Sequence, residues 1–339
     1  MPSTDDARQL QRETPLIDLH VDTLLWTRTL GYDPNKRHNS PKNRARPMGG
    51  HTDTPRMVDG GMGAIGLGLV ANPLLRKKRA VGLLHRYLDD LDKWIDGADG
   101  QVRKALTAAD VEAAHADGAV AAFTGLEGAH GLGGDLSHLP GLHERGLRYV
   151  GMSHFTANEA CHPCGGVGTA DEVGLHPWGR DLVRECERLG IVVDLAHINR
   201  KGFLEVCEMA TRPLWVTHCG VRGVHDIWRN VDDECLRAVA DTGGCVGIIF
   251  VPWFLGGQLN CGLDAVCEHI EHVASVVGWD HVAIGTDMDG FIPTLPKGFR
   301  DASDFPNLTA ALLERGHDHA DISKALGLSA LRVLRDVAG

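Results

Sequence analysis

Eight short apolar runs, each followed by a segment of helical period, constrain this chain more than any other feature of its sequence. They are rich in Val, Ile and Leu and span 16–24, 63–70, 120–126, 149–154, 191–197, 214–218, 245–251 and 282–287. A strand that reads apolar on both faces must be covered on both, which is the condition of a parallel sheet wrapped by helices. Between the runs, 178–189 gathers Leu182, Val183, Cys186 and Leu189 on one helical face before Gly190, and 264–277 does the same with Val266, Ile270, Val273 and Val277. Asp232, Asp233 and Glu234 put carboxylates at the positive start of a third helix, closed by Gly243 and Gly244. Eight such units predict a (β/α)8 TIM-type barrel with elaborated loops.

The 339 residues suit one barrel domain over 1–339, with an N-terminal extension at 1–14 and a long loop after the first strand at 31–55. That loop is polar and aperiodic, and loops of its length are functional or mobile. A net charge of -11 argues against nucleic acid as a partner. The basic run Arg76–Arg79 reads as the solvated start of a helix. No segment reaches the ~18 apolar residues of a membrane span, and the acidic start lacks the features of a secretory signal, so a soluble, cytoplasmic protein without a membrane partner is expected. Nine scattered cysteines suit reduced thiols, and the lone pair Cys161 and Cys164 reads as an inert or mildly reactive loop feature rather than a zinc or redox site.

In a barrel the C-terminal ends of the strands converge on one site. The first run ends in Asp18-Leu19-His20-Val21-Asp22, and strand alternation turns His20 and Asp22 to the same side. Alone, the pair is equally a metal bite or a buried hydrogen-bonded couple. The third run ends in Glu127 between Leu126 and Gly128, where a carboxylate can bridge two cations or form an ordinary loop salt bridge. The fifth and sixth runs each end in an imidazole, His197 and His218. One such His is commonly a satisfied core residue; two on adjacent strands, opposite His-x-Asp, favour metal. The last run ends in Asp287, placed to move a proton, with Asp289 one pleat further as a structural candidate. The constellation suffices for a two-metal site, and the reaction class implied is hydrolysis.

In combination, IDLHVD, GLEGAH, RYVGMSH, VTHCG and DHVAIGTDMDG resemble the membrane (renal) dipeptidase family of the amidohydrolase superfamily, and the likeness runs through nearly the whole chain. The resemblance implies a zinc metallopeptidase with two Zn²⁺ per chain, one held by His20 and Asp22, the other by His197 and His218, with Glu127 between them. It implies Asp287 as the proton carrier from the attacking water to the leaving amine. His154 would steady the scissile carbonyl, and Arg229 would receive the substrate's C-terminal carboxylate. The substrate implied is a free dipeptide, with L-Xaa-D-Xaa included, hydrolysed by a metal-activated hydroxide in a homodimer. An alternative keeps the metals but cleaves another amide: an N-acyl amino acid, a lactam or a biosynthetic peptide conjugate. What motivates it is residues 156–166, which depart from the family's Asn-x-x-x-Asp-Ser stretch. Leu326-Gly327-Leu328-Ser329 likewise replaces the usual Gly-Gly-Asn turn.

Overall fold

The computed structural model describes residues 4–38, 49–72, 77–256 and 259–339. Its strands are β1 (Leu16–Val21), β2 (Met62–Val70), β3 (Val102–Lys104), β4 (Val120–Glu127), β5 (Leu147–Gly151), β6 (Val192–Asp194), β7 (Trp215–Cys219), β8 (Cys245–Ile248) and β9 (Val282–Ile284). All pairings between them are parallel. The order β2-β1-β9-β8-β7-β6-β5-β4 closes through β2 against β4, giving an eight-stranded barrel with helices around it. β3 is the addition that periodicity does not reveal. It pairs Val102 with Val120 and stops at Lys104, beside the lower half of β4, before β5 takes over that edge.

Alternation sorts the core into two layers. Ile17, Leu19, Phe123, Tyr149, Val192 and Trp215 point into the barrel, while Ile65, Leu67, Val193 and Val216 face the helices. Inside, the rings of Phe123, Tyr149 and Trp215 lie 5.9–6.4 Å apart between centroids and fill the space under the mouth. The Ser329–Ala338 helix plugs the opposite end with Leu331, Leu334 and Val337. One end is therefore sealed, and chemistry is confined to the other.

The expected N-terminal extension is a helix, Thr4–Glu13, that buries Ala7 and Leu10 and donates from Gln11 to Thr309. Of the long loop 31–55, residues 39–48 lie outside the described residues; its second end turns into the Thr54–Asp59 helix, capped by the Asp53 side chain. The basic run begins the Lys77–Asp96 helix with Lys78 and Arg79 exposed, as read from sequence, and Arg76 lies outside the described residues. Among the described residues no helix is long and apolar enough to cross a membrane.

Candidate active site

Seven of the eight candidate side chains stand at or within three residues of a strand's C-terminal end. His20 lies in β1, Glu127 closes β4 and His218 lies in β7. Asp22 follows β1 directly. His154, His197 and Asp287 sit three residues beyond β5, β6 and β9. The predicted strands ran on through these last residues; the ladders instead stop short, and His197 and Asp287 adopt left-handed backbone, with φ of 66° and 62°. At His197 that turn swings the side chain inward from a position where a continuing strand, with Val193 turned to the helices, would aim it away. The Asp287 N–H donates to His20 O at 3.0 Å and the Asp22 N–H to Met288 O at 2.9 Å, so β1 and the chain after β9 stay zipped together at the site.

The groups converge on one carboxylate oxygen. Glu127 Oε1 lies 3.3 Å from His197 Nε2, 3.4 Å from His154 Nε2, 3.5 Å from His20 Nε2 and 3.8 Å from His218 Nε2. Three overlapping donor groups result: His20, Asp22 and Glu127; Glu127, His197 and His218; and His20, His218 and Asp287. In each, the ligand atoms lie within 4.8 Å of one another. Arg229 approaches from the loop after β7, with Nη2 donating to His218 O at 2.9 Å and lying 3.3 Å from His197 Nε2. All eight residues singled out in the sequence thus meet in one cup.

A divalent cation suits this donor set. His20 Nε2 and Asp22 Oδ1 are buried and find no hydrogen-bond partner among the described residues, a costly state for polar atoms that a cation between them relieves. Three imidazoles and two carboxylates are the mixture of ligands that Zn²⁺ accepts. β2 leaves room for it, because a Cβ at Gly68 would sit 2.3 Å from Asp22 Oδ1 and 2.9 Å from His20 Cε1.

The electrostatics also suit cations. Burial would depress the pKa of His20, but Glu127 and Asp22 outweigh it and lift it to about 10, the mark of a site that attracts positive charge. Burial, and then Arg229 beside His197 and His20 beside His218, push those two imidazoles well below the usual range and keep them neutral, the form that binds metals. Burial above all raises the half-buried Asp287 to about 8; His20 and Arg229 oppose the shift, while Glu127 and Asp18 add to it.

A family model described as membrane dipeptidase, peptidase family M19, matches residues 4–339. The chain belongs to the membrane dipeptidase family. Dipeptidase tcpJ of Claviceps purpurea is 30% identical over 301 residues, 86% of this chain and 70% of that one. An uncharacterized dipeptidase of Schizosaccharomyces pombe is 36% identical over 216 residues, 63% of this chain and 52% of its own length. Among solved structures, a metallopeptidase named dipeptidase AC superposes with a TM-score of 0.86 at 30% identity, covering 96% of this chain and 99% of that one. A Rhodobacter sphaeroides metallopeptidase holding a phosphinate mimic of L-Ala-D-Ala superposes at 0.85 and 28% identity, with 96% and 99% covered.

In this membrane dipeptidase family member the stretch 156–166 forms a wall of the mouth. Asn158 pins it by accepting from the N–H groups of Ala160 and Cys161 and donating to Met152 O. The Cys164 N–H donates to His197 O at 2.7 Å, and Gly165 packs flat against the Trp228 ring beside Arg229. Both thiols of the pair are free and burial raises the pKa of each, so neither is primed for reaction. Beyond Cys164, a cavity of about 690 Å³ runs past His197 and Arg229 toward the 200–209 helix.

Sequence reasoning passed over Asp18, Tyr149, Asp194, Thr217 and Thr286, which hold the candidate ligands from behind. For Asp18 the signal was present: it shares the alternation that singled out His20 and Asp22. Asp289, taken as structural, accepts from the His51 N–H and the Thr23 hydroxyl at 2.7 Å each, and fastens the strap after β1 to the end of β9.

Proposed function

We propose that this chain is a binuclear zinc dipeptidase, a single hydrolase domain over 1–339 in which His20 and Asp22 hold one cation, His197 and His218 the other, and Glu127 both. The observation that carries the reading is the convergence of four imidazole Nε2 atoms on one oxygen of Glu127, within 3.8 Å, with the His20 Nε2 and Asp22 Oδ1 beside it unpartnered. When bound, the cations supply an activated water and polarise the carbonyl under attack.

The chain's own residues supply binding, orientation and proton transfer. Arg229 is buried with its Nε unpartnered, so its planar fork has a donor free for the substrate's C-terminal carboxylate. His154, 22% exposed at its side chain, stands at the open side of Glu127 and donates to the scissile carbonyl oxygen as charge builds there. Asp287, whose carboxylate shares the cup with His20 and His218, takes a proton from the attacking water and returns it to the leaving amine. The substrate is a free dipeptide, with a D-residue accepted on its C-terminal side; the phosphinate mimic of L-Ala-D-Ala in the Rhodobacter sphaeroides relative supports this choice. The reading extends to a homodimer in the cytoplasm, and nine free thiols are consistent with a reducing compartment.

A hydrolysis panel with added Zn²⁺ tests the proposal: L-Ala-L-Ala, L-Ala-D-Ala, their C-terminal amides and N-acetyl-alanine. The free dipeptides are cleaved best. Turnover of N-acetyl-alanine with none of any dipeptide contradicts it.

A further inference from the structure

The imidazole of His218 is gripped from behind by two residues that the mechanism above does not use. His218 Nδ1 lies 2.9 Å from Thr217 Oγ1, and that hydroxyl donates to Asp194 Oδ2 at 2.8 Å. Asp194 is itself fixed, since its Oδ1 accepts the backbone N–H groups of Thr217 at 2.8 Å and Ala196 at 3.0 Å. All three side chains are buried.

A hydroxyl has one hydrogen to give. Because Thr217 gives it to Asp194, its oxygen accepts from His218, and the proton of the neutral imidazole resides on Nδ1. The Nε2 lone pair then faces the cup, 2.8 Å from His197 Nε2, where a cation would bind. We propose that Asp194 and Thr217 are positioning residues that set the tautomer and ring orientation of His218 for a divalent cation, the hydroxyl relaying the carboxylate's demand for a proton. The inference rests on the metal-site reading above.

Two comparisons within the molecule sharpen it. Asp18 makes the same pair of bonds with Thr286, to its N–H at 2.9 Å and its hydroxyl at 2.6 Å, but there the hydroxyl oxygen accepts the Met288 N–H. That copy fixes backbone, not an imidazole. His197, the neighbouring ligand candidate, has an outer nitrogen with no hydrogen-bond partner among the described residues. Of these two adjacent imidazoles, only His218 is locked.

Asp194→Asn reverses the relay. Its amide oxygen must stay on the two backbone N–H groups, so its NH₂ donates to Thr217 Oγ1. The Thr217 hydroxyl then points its hydrogen at His218 Nδ1, which drives the imidazole proton to Nε2 and blocks the lone pair. Thr217→Val merely removes the lock.

The test is Zn²⁺ affinity, measured by competition with a chromogenic chelator on the full chain, with the melting temperature of each metal-free protein as the control for folding. Thr217→Val lowers the affinity roughly 10-fold and Asp194→Asn roughly 100-fold, the span seen when a ligand's outer partner is lost. Thr217→Ser stays near wild type. The double variant Asp194→Asn/Thr217→Val returns to the level of Thr217→Val alone, because the misdirected hydroxyl is gone. Additive losses in the double variant, or wild-type affinity in Asp194→Asn, overturn the proposal. Should Asp194→Asn fail to fold, equal affinities of Thr217→Val and Thr217→Ser overturn it instead. Wild-type protein that binds no Zn²⁺ overturns the metal reading as well, whereas a protein that binds Zn²⁺ but cleaves no dipeptide leaves this inference standing.

Discussion

Tyr149 reaches across the barrel interior to bring its hydroxyl within 2.8 Å of His20 Nδ1. The ring can lie there only because Gly125 opposes it: a Cβ at that position would fall 1.9 Å from the phenol carbon. Packing in the barrel's centre and orientation of a candidate ligand are therefore one arrangement, and a change to either is felt at the mouth.

Tyr149→Phe should keep the fold and lower Zn²⁺ affinity about 10-fold, since the imidazole loses the group that aligns it. Gly125→Ala should also cost stability, about 1–3 kcal/mol, because the ring must leave its place. Chelator competition and thermal melting separate the two effects. Unchanged affinity in both variants would remove Tyr149 from the account.

Arg229→Ala should lower kcat/KM for free dipeptides roughly 100-fold, about 3 kcal/mol, through loss of charge-assisted hydrogen bonds to the carboxylate. C-terminally amidated dipeptides, poor substrates to begin with, should change little. Steady-state kinetics on the matched pair decides it, and equal losses on both would argue against carboxylate recognition.

Asp287→Asn should lower kcat by roughly 10² to 10⁴-fold while Zn²⁺ content is retained, because the amide accepts no proton. Metal analysis alongside single-turnover kinetics checks this. A near-normal kcat would assign the proton transfer elsewhere.

His269 makes stability depend on pH. It accepts the Val221 N–H at Nδ1 and meets Leu255 O at Nε2, tying the loop that carries Arg229 to the helix at 252–256. Burial lowers its pKa to about 4, from 6.5 in the unfolded chain. Its contribution is thus present above pH 6.5 and is lost as pH falls toward 4, where only the unfolded chain takes up the proton, a change of about 3 kcal/mol. In urea melts of metal-free protein, the advantage of wild type over His269→Gln should shrink by that order between pH 7 and pH 4. A constant difference would refute the assignment.

What could be read in advance follows from where periodicity applies. Apolar runs located all eight barrel strands, because burial on both faces leaves a continuous signal in β2, β4 and β8. The same runs overshot by three residues after β1, β5 and β8, and likewise after β6 and β9. The backbone there leaves the ladder at His197, Asp287 and Asp289, all at positive φ, and single residues of that kind carry no pattern. β3 was missed because three residues are too few to show alternation. The N-terminal helix was undervalued because its buried face is narrow, with Ala7 and Leu10 its main apolar anchors. Side chains that carry chemistry stood out by residue type at strand ends. Thr217 and Gly68 did not, since their roles come from neighbours distant in sequence.

The central claim is that His20, Asp22, Glu127, His197 and His218 seat two cations. Anomalous diffraction at the zinc absorption edge from crystals grown with Zn²⁺ tests it most directly. Two peaks, one beside His20 and Asp22 and one beside His197 and His218, with Glu127 reaching both, are the result predicted. A single peak, or peaks away from Glu127, would contradict it.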